Sequence, residues 1–345
     1  MGTVVEQRAY GESVEVSWPL DGTTVYGTLV RPAGAGPFPA VVMVAGSGPT
    51  DRDWNSPLIP GTNGSARLLA EALAESGFAS LRYDKRASGP HARENMPALI
   101  GKMSMQSHLD ELAGAVRTLA RPLSSKDGPL ASQAYVDPAR IFALTSSEGA
   151  LHALNYQVHD PAISFAGLVL TGAPGRTVGA VGRAQIVAQV SGLPGGEEWL
   201  AAYDAAIARF LAGEPTAPDP SLPQGIQMLL QSLATPANLP FARELWVADA
   251  AAMLAQVRVP VLVVIGQKDI QADWQADGEQ LQQAAAGHED ITFLFPENAN
   301  HVLKYEPRPR AQLTAAEAMA SYNAPEARLD PQTLAGILAW LAAHA

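Results

Sequence analysis

The sequence predicts an α/β protein with a doubly wound, mostly parallel sheet and a helical cap insertion. Apolar runs of strand length alternate with amphipathic helical patterns between residues 40 and 170, an order that is typical of such sheets. From residue 175 to residue 256 the apolar positions recur only at helical spacing, and a strand pattern returns at Val259. We therefore predict a core of residues 1–174 and 257–345 and a helical cap of residues 175–256.

The individual elements follow from local patterns. Two segments that alternate between apolar and polar residues, 14–18 and 25–30, flank the turn dipeptide Asp21-Gly22 and predict an antiparallel hairpin at the sheet edge. The continuous apolar run 40–45 predicts a strand covered on both faces. The other predicted elements are helices over 65–75, 106–119, 148–158, 277–286 and 331–343, strands over 78–83, 141–144, 167–170, 259–265 and 291–295, and a turn over 137–140.

Composition indicates a globular enzyme without a nucleic-acid or membrane partner. The 345 residues are 47% hydrophobic and carry a net charge of −11, without any basic run that could bind phosphates or anionic lipids. The chain has no cysteine, so disulfides and thiolate metal sites cannot form. The first residues lack the pattern of a signal peptide, and we expect a cytoplasmic protein. Oligomeric state is not predicted.

Residues 141–151 have the pattern of a nucleophile elbow. Four apolar residues predict a buried strand, a helical pattern begins at Glu148, and Ser147 and Gly149 at the junction match x-x-Ser-x-Gly. Such a turn exposes the serine hydroxyl at its tip, beside the amino-terminus of the helix. The sequence therefore predicts that Ser147 is a catalytic nucleophile.

A serine nucleophile needs a base, and a histidine base needs a carboxylate that orients it. Asp269 and His301 each lie just past the carboxyl end of a predicted strand, where open α/β sheets place their sites. Their order after Ser147 is the nucleophile–acid–histidine order of α/β-hydrolases. We predict this triad, with Asp273 and Asp277 as alternative acids. The other histidines lack ligand spacing, so no metal site is predicted.

The oxyanion hole requires two backbone N–H donors. One should come from the residue after the nucleophile, Glu148, and the other from the glycine-rich loop after the first central strand. Glycines there let the backbone approach a developing oxyanion closely. We predict the Ser47 amide as the second donor, with Gly46 and Gly48 as alternatives.

These segments together resemble the α/β-hydrolase superfamily and, more narrowly, bacterial serine carboxylesterases with a GSGPxDRD oxyanion loop. The segments that carry the resemblance are residues 46–53, 82–86, 147–149 and 300–304. The resemblance implies ester hydrolysis through an acyl-enzyme, without a cofactor.

The chain departs from this pattern beside the nucleophile. The family's elbow opens with glycine and histidine, where this chain has Thr145 and Ser146, and a family glycine is replaced by Ala87. Ser146 raises the alternative that the two serines exchange roles, but Gly149 is correctly spaced only for Ser147. We predict that Thr145 and Ser146 alter the packing behind the nucleophile without displacing it.

The predicted function is hydrolysis of a carboxylic ester of small to medium size, with a small ester-like molecule as the partner. A lactone, an amide or acyl transfer would use the same residues. A non-catalytic ligand-binding protein on a hydrolase scaffold is the alternative of a different class. Apolar cap residues are predicted to line the substrate pocket, namely Trp199, Phe210, Met228, Phe241 and Trp246.

Overall fold

Nine strands form one sheet in the order β1-β2-β3-β5-β4-β6-β7-β8-β9. The computed structural model describes residues 5–8, 10–121 and 135–345. The strands are β1 (Val5–Arg8), β2 (Gly11–Leu20), β3 (Thr23–Pro32), β4 (Phe38–Val44), β5 (Ala79–Tyr83), β6 (Val136–Ser146), β7 (Gly167–Thr171), β8 (Val261–Val264) and β9 (Ile291–Leu294).

The sheet is antiparallel at one edge and parallel elsewhere. β1, β2 and β3 pair antiparallel, and β3 pairs antiparallel with β5. From β5 to β9 every neighbouring pair is parallel. Because the carboxyl ends of these parallel strands meet at one edge, the loops after β4, β5, β6, β8 and β9 can converge on one site.

Twelve α-helices and a short 3₁₀ helix (Arg310–Gln312) lie in the part of the chain that the structure describes. The α-helices are α1 (Ser65–Glu75), α2 (Ala92–Leu99), α3 (Met105–Ala120), α4 (Gly149–Val158), α5 (Val178–Val190), α6 (Gly196–Leu211), α7 (Gln224–Leu233), α8 (Leu239–Val247), α9 (Ala250–Leu254), α10 (Ala276–Ala284), α11 (Ala315–Tyr322) and α12 (Pro331–His344). None of the described helices is long and apolar enough to cross a bilayer.

Helices cover both faces of the sheet. On one face, side chains of α3, α4, α9 and α10 such as Leu112, Leu151 and Leu281 pack into one apolar cluster. On the other face, α1 and α12 contribute Leu73 and Ile337 to a second cluster. Central strands are therefore buried on both sides, which explains why their sequences are continuously apolar rather than alternating.

The predicted fold class is confirmed, and the hairpin and the helix–strand alternation lie where the patterns indicated. The predicted turn over residues 137–140 is wrong, because these residues belong to β6. The Asp137 side chain accepts hydrogen bonds from Ala139 N and Arg140 Nε, which resembles turn chemistry. The flanking residues Val136 and Ile141 nevertheless pair with Phe38 and Ala40 of β4, so residues 137–140 form an irregularity within the strand.

Five helices, α5 to α9, lie between β7 and β8, within residues 175–256. Helices α5 to α8 share a separate apolar cluster that contains Ile186, Phe210, Leu230 and Trp246. Helix α9 instead packs with the sheet core, through side chains such as Leu254. The division of the chain into core and cap stays a prediction.

Candidate active site

Ser147 lies at the tip of the turn between β6 and α4. Its φ is +52°, a left-handed conformation that a residue with a Cβ rarely adopts and that a turn of the nucleophile-elbow type imposes on the residue at its tip. The Ser147 N–H donates to the Thr171 carbonyl at 2.8 Å, which attaches the turn to β7. The preceding residue, Ser146, ends β6 and keeps its strand pairing with Thr171.

Gly149 and Thr145, each two positions from Ser147, both fit the packing of the elbow. A Cβ on Gly149 would lie 2.6 Å from the Val44 carbonyl oxygen, so only glycine lets α4 begin so close to β4. Thr145 is completely buried, and its hydroxyl donates to the Val169 carbonyl at 3.3 Å. Thr145 is thus accommodated in the sheet by a hydrogen bond to β7.

Asp269 and His301 are in contact. His301 Nδ1 lies 2.8 Å from Asp269 Oδ2, and the aspartate side chain is buried. The other carboxylate oxygen, Oδ1, accepts hydrogen bonds from Gln271 N at 2.7 Å and Ala272 N at 3.0 Å. This pairing leaves His301 Nε2 as the ring nitrogen available to a nucleophile, as a catalytic base requires.

The alternative acids have other partners. Asp277 is buried and accepts two hydrogen bonds at 2.9 Å from the Arg176 guanidinium. Asp273 accepts from Arg310 Nη2 at 2.8 Å. Neither contacts His301 among the described contacts, so Asp269 is the acid that the geometry favours.

Lys304 fixes the loop that carries His301. This buried lysine donates from Nζ to the carbonyls of Asn63 and Tyr322, both at 2.6 Å. Burial, with a contribution from the nearby Arg67, lowers the pKa of Lys304 to about 8. Lys304 therefore joins the histidine loop to two separate segments at the cost of a buried positive charge.

Lys304→Met is expected to reveal this cost as a pH-dependent difference in stability. The folded protein releases the Lys304 proton above pH 8, whereas the unfolded chain keeps it up to its ordinary pKa of about 10.5. In that window the unfolded state binds more protons, so the free energy of unfolding of the wild type should rise relative to Lys304→Met by about 2 kcal/mol. Urea unfolding of both proteins at pH 7 and pH 10 measures the difference. If the free energy of unfolding of the wild type minus that of Lys304→Met decreases from pH 7 to pH 10, the lowered pKa of Lys304 is wrong.

The predicted oxyanion donors are available. Within the described residues, neither the Ser47 N–H nor the Glu148 N–H donates to a protein acceptor. The Ser47 carbonyl is turned away, since it accepts from the Thr50 hydroxyl at 2.7 Å. A Cβ on Gly46 would lie 3.1 Å from the Ser146 carbonyl oxygen, so this loop passes close to the elbow. Two backbone N–H groups of the described residues, one in the elbow and one in the neighbouring loop, are thus without a protein acceptor.

Arg52 anchors the oxyanion loop to the sheet, and Asp51 fixes the turn within the loop. Arg52 donates from Nε and Nη2 to Asp84 at 3.0 and 2.7 Å, and from Nη1 to Glu15 at 2.6 Å. Asp51 Oδ1 accepts from the backbone N–H groups of Asp53 and Asn55, both at 2.9 Å. These contacts hold the loop without placing either charge in the cavity beside Ser147.

A buried carboxylate lies directly behind the elbow. Glu148 Oε1 is 3.1 Å from His152 Nε2 and 3.8 Å from Lys85 Nζ. Burial alone would raise the pKa of Glu148, but Lys85 and His152 outweigh it and lower the pKa to about 2. Burial, together with the neighbouring His108, lowers the pKa of His152. At neutral pH this site therefore holds an ionised Glu148 beside a neutral His152.

A second buried carboxylate continues the network. Glu111 lies 3.0 Å from His108 Nδ1 and 2.8 Å from Arg86 Nε. Burial would raise the pKa of Glu111, but these two partners lower it to about 2. Phe241 of α8 covers the rings of His108 and His152, with centroids 4.6 and 6.0 Å away. Helix α8 thus packs against the two buried histidines that lie behind the elbow.

Ser147 and His301 line one cavity of about 310 Å³. The oxyanion loop, the segment 54–63 and helix α11 form most of the remaining walls, and Ser146, Gln271, Val302 and Asn323 complete them. The apolar side chains around it are Pro49, Trp54, Leu58, Ile59, Val302, Met319 and Tyr322. His301 is the one titratable side chain, besides the Tyr322 hydroxyl, among the described lining residues, so the cavity suits a neutral ligand.

The five cap residues predicted to line the pocket do not line this cavity. Their spacing indicated apolar helix faces, and four of the five residues pack against other side chains of the protein. Phe210, Trp246 and Trp199 pack within the cluster of α5 to α8, and Phe241 packs over the two buried histidines. Met228 is 61% exposed on α7.

The sequence patterns did not predict the roles of several residues that line or support the cavity. Helix α11 was not predicted, although Met319 and Tyr322 on it line the cavity. Its start has a legible signal, a capping box between Thr314 and Glu317. Lys85 stood within a segment of family resemblance, but nothing in the pattern indicated its contacts.

Among residues 5–8, 10–121 and 135–345, no group of three or more His, Asp or Glu side chains is arranged to hold a metal ion. The described site offers a serine, a histidine–aspartate pair and free backbone amides. This set of groups is suited to nucleophilic acyl transfer.

The sheet order, the elbow after β6, and the acid and histidine loops after β8 and β9 define an α/β-hydrolase fold. Over 279 residues the chain is 26% identical to Esterase EstD of Thermotoga maritima, a match that covers 80% of this chain and 57% of the esterase. The chain thus spans little more than half the length of this relative. No protein-family model matches the chain.

Solved structures support the same fold. An esterase of Pyrococcus furiosus superposes with a TM-score of 0.52 at 15% identity, covering 95% of this chain and 89% of that chain. Proline iminopeptidase of Mycobacterium smegmatis superposes with a TM-score of 0.52 at 17% identity, covering 96% of this chain and 98% of that chain. At such identities the similarity defines the fold, whereas the reaction must be argued from the site.

Proposed function

We propose that the chain is a serine hydrolase that cleaves a carboxylic ester through an acyl-enzyme. The observation that carries the proposal is the 2.8 Å contact between His301 and the buried Asp269, in a cavity that Ser147 also lines. Similarity to an esterase supports the reaction class. No cofactor is part of the proposal.

In the proposed reaction His301 takes the proton of the Ser147 hydroxyl as the oxygen attacks the substrate carbonyl. Asp269 holds the imidazole by its Nδ1 and stabilises the positive charge that forms on it. The N–H groups of Ser47 and Glu148 stabilise the oxyanion of the tetrahedral intermediate. His301 then protonates the leaving alcohol, and water releases the acid from Ser147 by the same steps.

The proposed substrate is a small to medium neutral ester. The cavity of about 310 Å³ has mixed walls, and no carboxylate, lysine or arginine is among its described lining residues. A charged acyl chain would therefore lose its hydration without gaining a partner, whereas a short apolar chain can pack against Trp54, Ile59 and Met319.

Two assays test the reaction class. A fluorophosphonate probe should label the wild type covalently, and a panel of p-nitrophenyl esters, lactones and amides should show ester cleavage as the fastest reaction. A folded wild type that neither takes the label nor cleaves any of these compounds would instead indicate a ligand-binding protein on a hydrolase scaffold. Faster lactone or amide cleavage would keep the triad and change the substrate class.

Met319→Trp is expected to restrict the acyl chain. Met319 is 41% exposed at the cavity, so an indole there should narrow the space for long chains. We expect kcat/KM for p-nitrophenyl octanoate to fall about 10-fold, with acetate changing less than about 2-fold. The measurement is kcat/KM along a series of chain lengths.

Met228→Trp is the matched control, because it makes the same change at an exposed methionine of α7, outside this cavity. Its chain-length profile should match the wild type. If Met228→Trp shifts the profile and Met319→Trp does not, the substrate pocket lies under the helices α5 to α8 instead.

A further inference from the structure

Lys85 is a buried lysine that the proposed triad does not use. It follows the carboxyl end of β5, in the segment Asp84-Lys85-Arg86, and is 6% exposed. Its two neighbours have partners of their own, since Asp84 binds Arg52 and Arg86 binds Glu111. The two partners of Lys85, by contrast, belong to the parts of the chain that supply the proposed oxyanion donors.

The first partner is the Gly46 carbonyl, which accepts a hydrogen bond from Lys85 Nζ at 2.5 Å. This carbonyl belongs to the same peptide group as the Ser47 N–H, the proposed oxyanion donor. The second partner is Glu148, whose Oε1 lies 3.8 Å from Nζ and whose backbone N–H is the other proposed donor. One ammonium group therefore contacts the residues that supply both sides of the hole.

A cation bound to a carbonyl oxygen strengthens the N–H donor at the other end of the same peptide group. Charge-assisted hydrogen bonds are stronger than neutral ones, and hydrogen bonds in series polarise one another. The effect is larger where water is excluded, and both Lys85 and Glu148 are buried. The Gly46–Ser47 peptide is thus oriented and polarised before the oxyanion develops, which is the condition for electrostatic stabilisation of a transition state.

We propose that Lys85 is a positioning residue of the oxyanion hole, which polarises the Gly46–Ser47 peptide and holds it beside Glu148. The inference rests on the proposed ester hydrolysis. Lys85 is not among the residues that line the cavity, so it acts through the peptide and not by touching the substrate. Its contribution should therefore be made in the transition state and not in substrate binding.

Lys85→Met tests the inference, because it keeps the length of the side chain and removes the ammonium. With p-nitrophenyl butyrate we expect kcat to fall about 10- to 100-fold and KM to change less than about 3-fold, a smaller loss than removal of a direct oxyanion donor. The inhibition constant of an alkyl trifluoromethyl ketone, whose serine adduct carries an oxyanion, should rise by the same factor. A lysine that only stabilises the fold would not produce this parallel change.

Lys304→Met is the matched control. It also removes a buried ammonium that donates to backbone carbonyls, but these are the carbonyls of Asn63 and Tyr322 and not that of the Gly46–Ser47 peptide. The ratio of the ketone inhibition constant to the substrate KM should stay at the wild-type value in Lys304→Met and rise in Lys85→Met. Thermal unfolding of both variants shows whether their stabilities are comparable.

Glu148→Gln provides a second background if Lys85→Met alone does not fold, since the double variant leaves no unpaired buried carboxylate. The comparison is then between Glu148→Gln and the double variant, with the same expected loss of kcat and of ketone affinity. Unchanged kcat, or a lower kcat with unchanged ketone affinity, would overturn the role of Lys85. A wild type that neither reacts with fluorophosphonate nor cleaves esters would overturn the proposed function itself.

Discussion

Ser147→Ala is expected to lower kcat for a p-nitrophenyl ester by about 10⁴- to 10⁶-fold and to abolish labelling by a fluorophosphonate. The reason is the geometry of the elbow, in which Ser147 has a φ of +52° at the turn and lines the same cavity as His301. Stability should change little, because within the described residues the Ser147 hydroxyl makes no hydrogen bond that would be lost. Stopped-flow kinetics, intact mass after labelling and thermal unfolding give the three readouts.

Ser146→Ala is the matched control for the neighbouring serine. Ser146 also lines the cavity, but it ends β6 and keeps its strand pairing. We expect its variant to be labelled and to lose less than about 10-fold in kcat, because the proposed acyl-enzyme forms on Ser147 and not on this hydroxyl. Labelling that survives Ser147→Ala and disappears in Ser146→Ala would mean that the two serines have exchanged roles.

Asp269→Asn is expected to have the second largest effect, a loss of about 10³- to 10⁴-fold in kcat. The amide cannot stabilise the imidazolium, and its NH₂ group favours the wrong tautomer of His301. The 2.8 Å contact with Nδ1 makes Asp269 the direct partner of the ring. The loss should appear in kcat with little change in KM, and fluorophosphonate labelling should become slow rather than absent.

Asp273→Asn is the corresponding control. This aspartate follows the same strand, carries a partly exposed carboxylate and pairs with Arg310 instead of His301. Its variant should keep kcat within about 3-fold of the wild type, since exposed or partly exposed ion pairs contribute little. If Asp273→Asn is the more damaging change, the sequence alternative of a different acid is correct.

The order of elements and the polar residues that lie at the strand ends could be predicted from the chain alone. Continuous apolar runs such as residues 40–45 identify strands buried on both faces, and spacing of 3.6 residues identifies helices such as α1 and α4. These signals are local, because each strand or helix records its own burial in its own residues. The positions of Ser147, Asp269 and His301 at the ends of strands follow from the same patterns.

Tertiary structure decided what the local patterns do not record. An apolar stripe shows that a helix face is buried, but not against what, so the sequence left both a pocket and internal packing open for Phe210 and Trp246, which pack in the cluster of α5 to α8. Residues 137–140 have turn-like chemistry and nevertheless lie within β6, because the residues on either side of them pair with β4. In both cases the partner is distant in the chain.

The elbow shows most clearly which features the sequence predicts and which features only the tertiary structure supplies. The pattern x-x-Ser-x-Gly predicted the turn at Ser147 because the steric demand behind it is local, as the 2.6 Å approach of a Cβ on Gly149 to the Val44 carbonyl oxygen illustrates. The supporting charges, Lys85 against Gly46 and Glu148, and Lys304 against Asn63 and Tyr322, come from segments far apart in the chain. Buried charges need partners wherever the fold supplies them, and no periodicity in a single sequence encodes that choice.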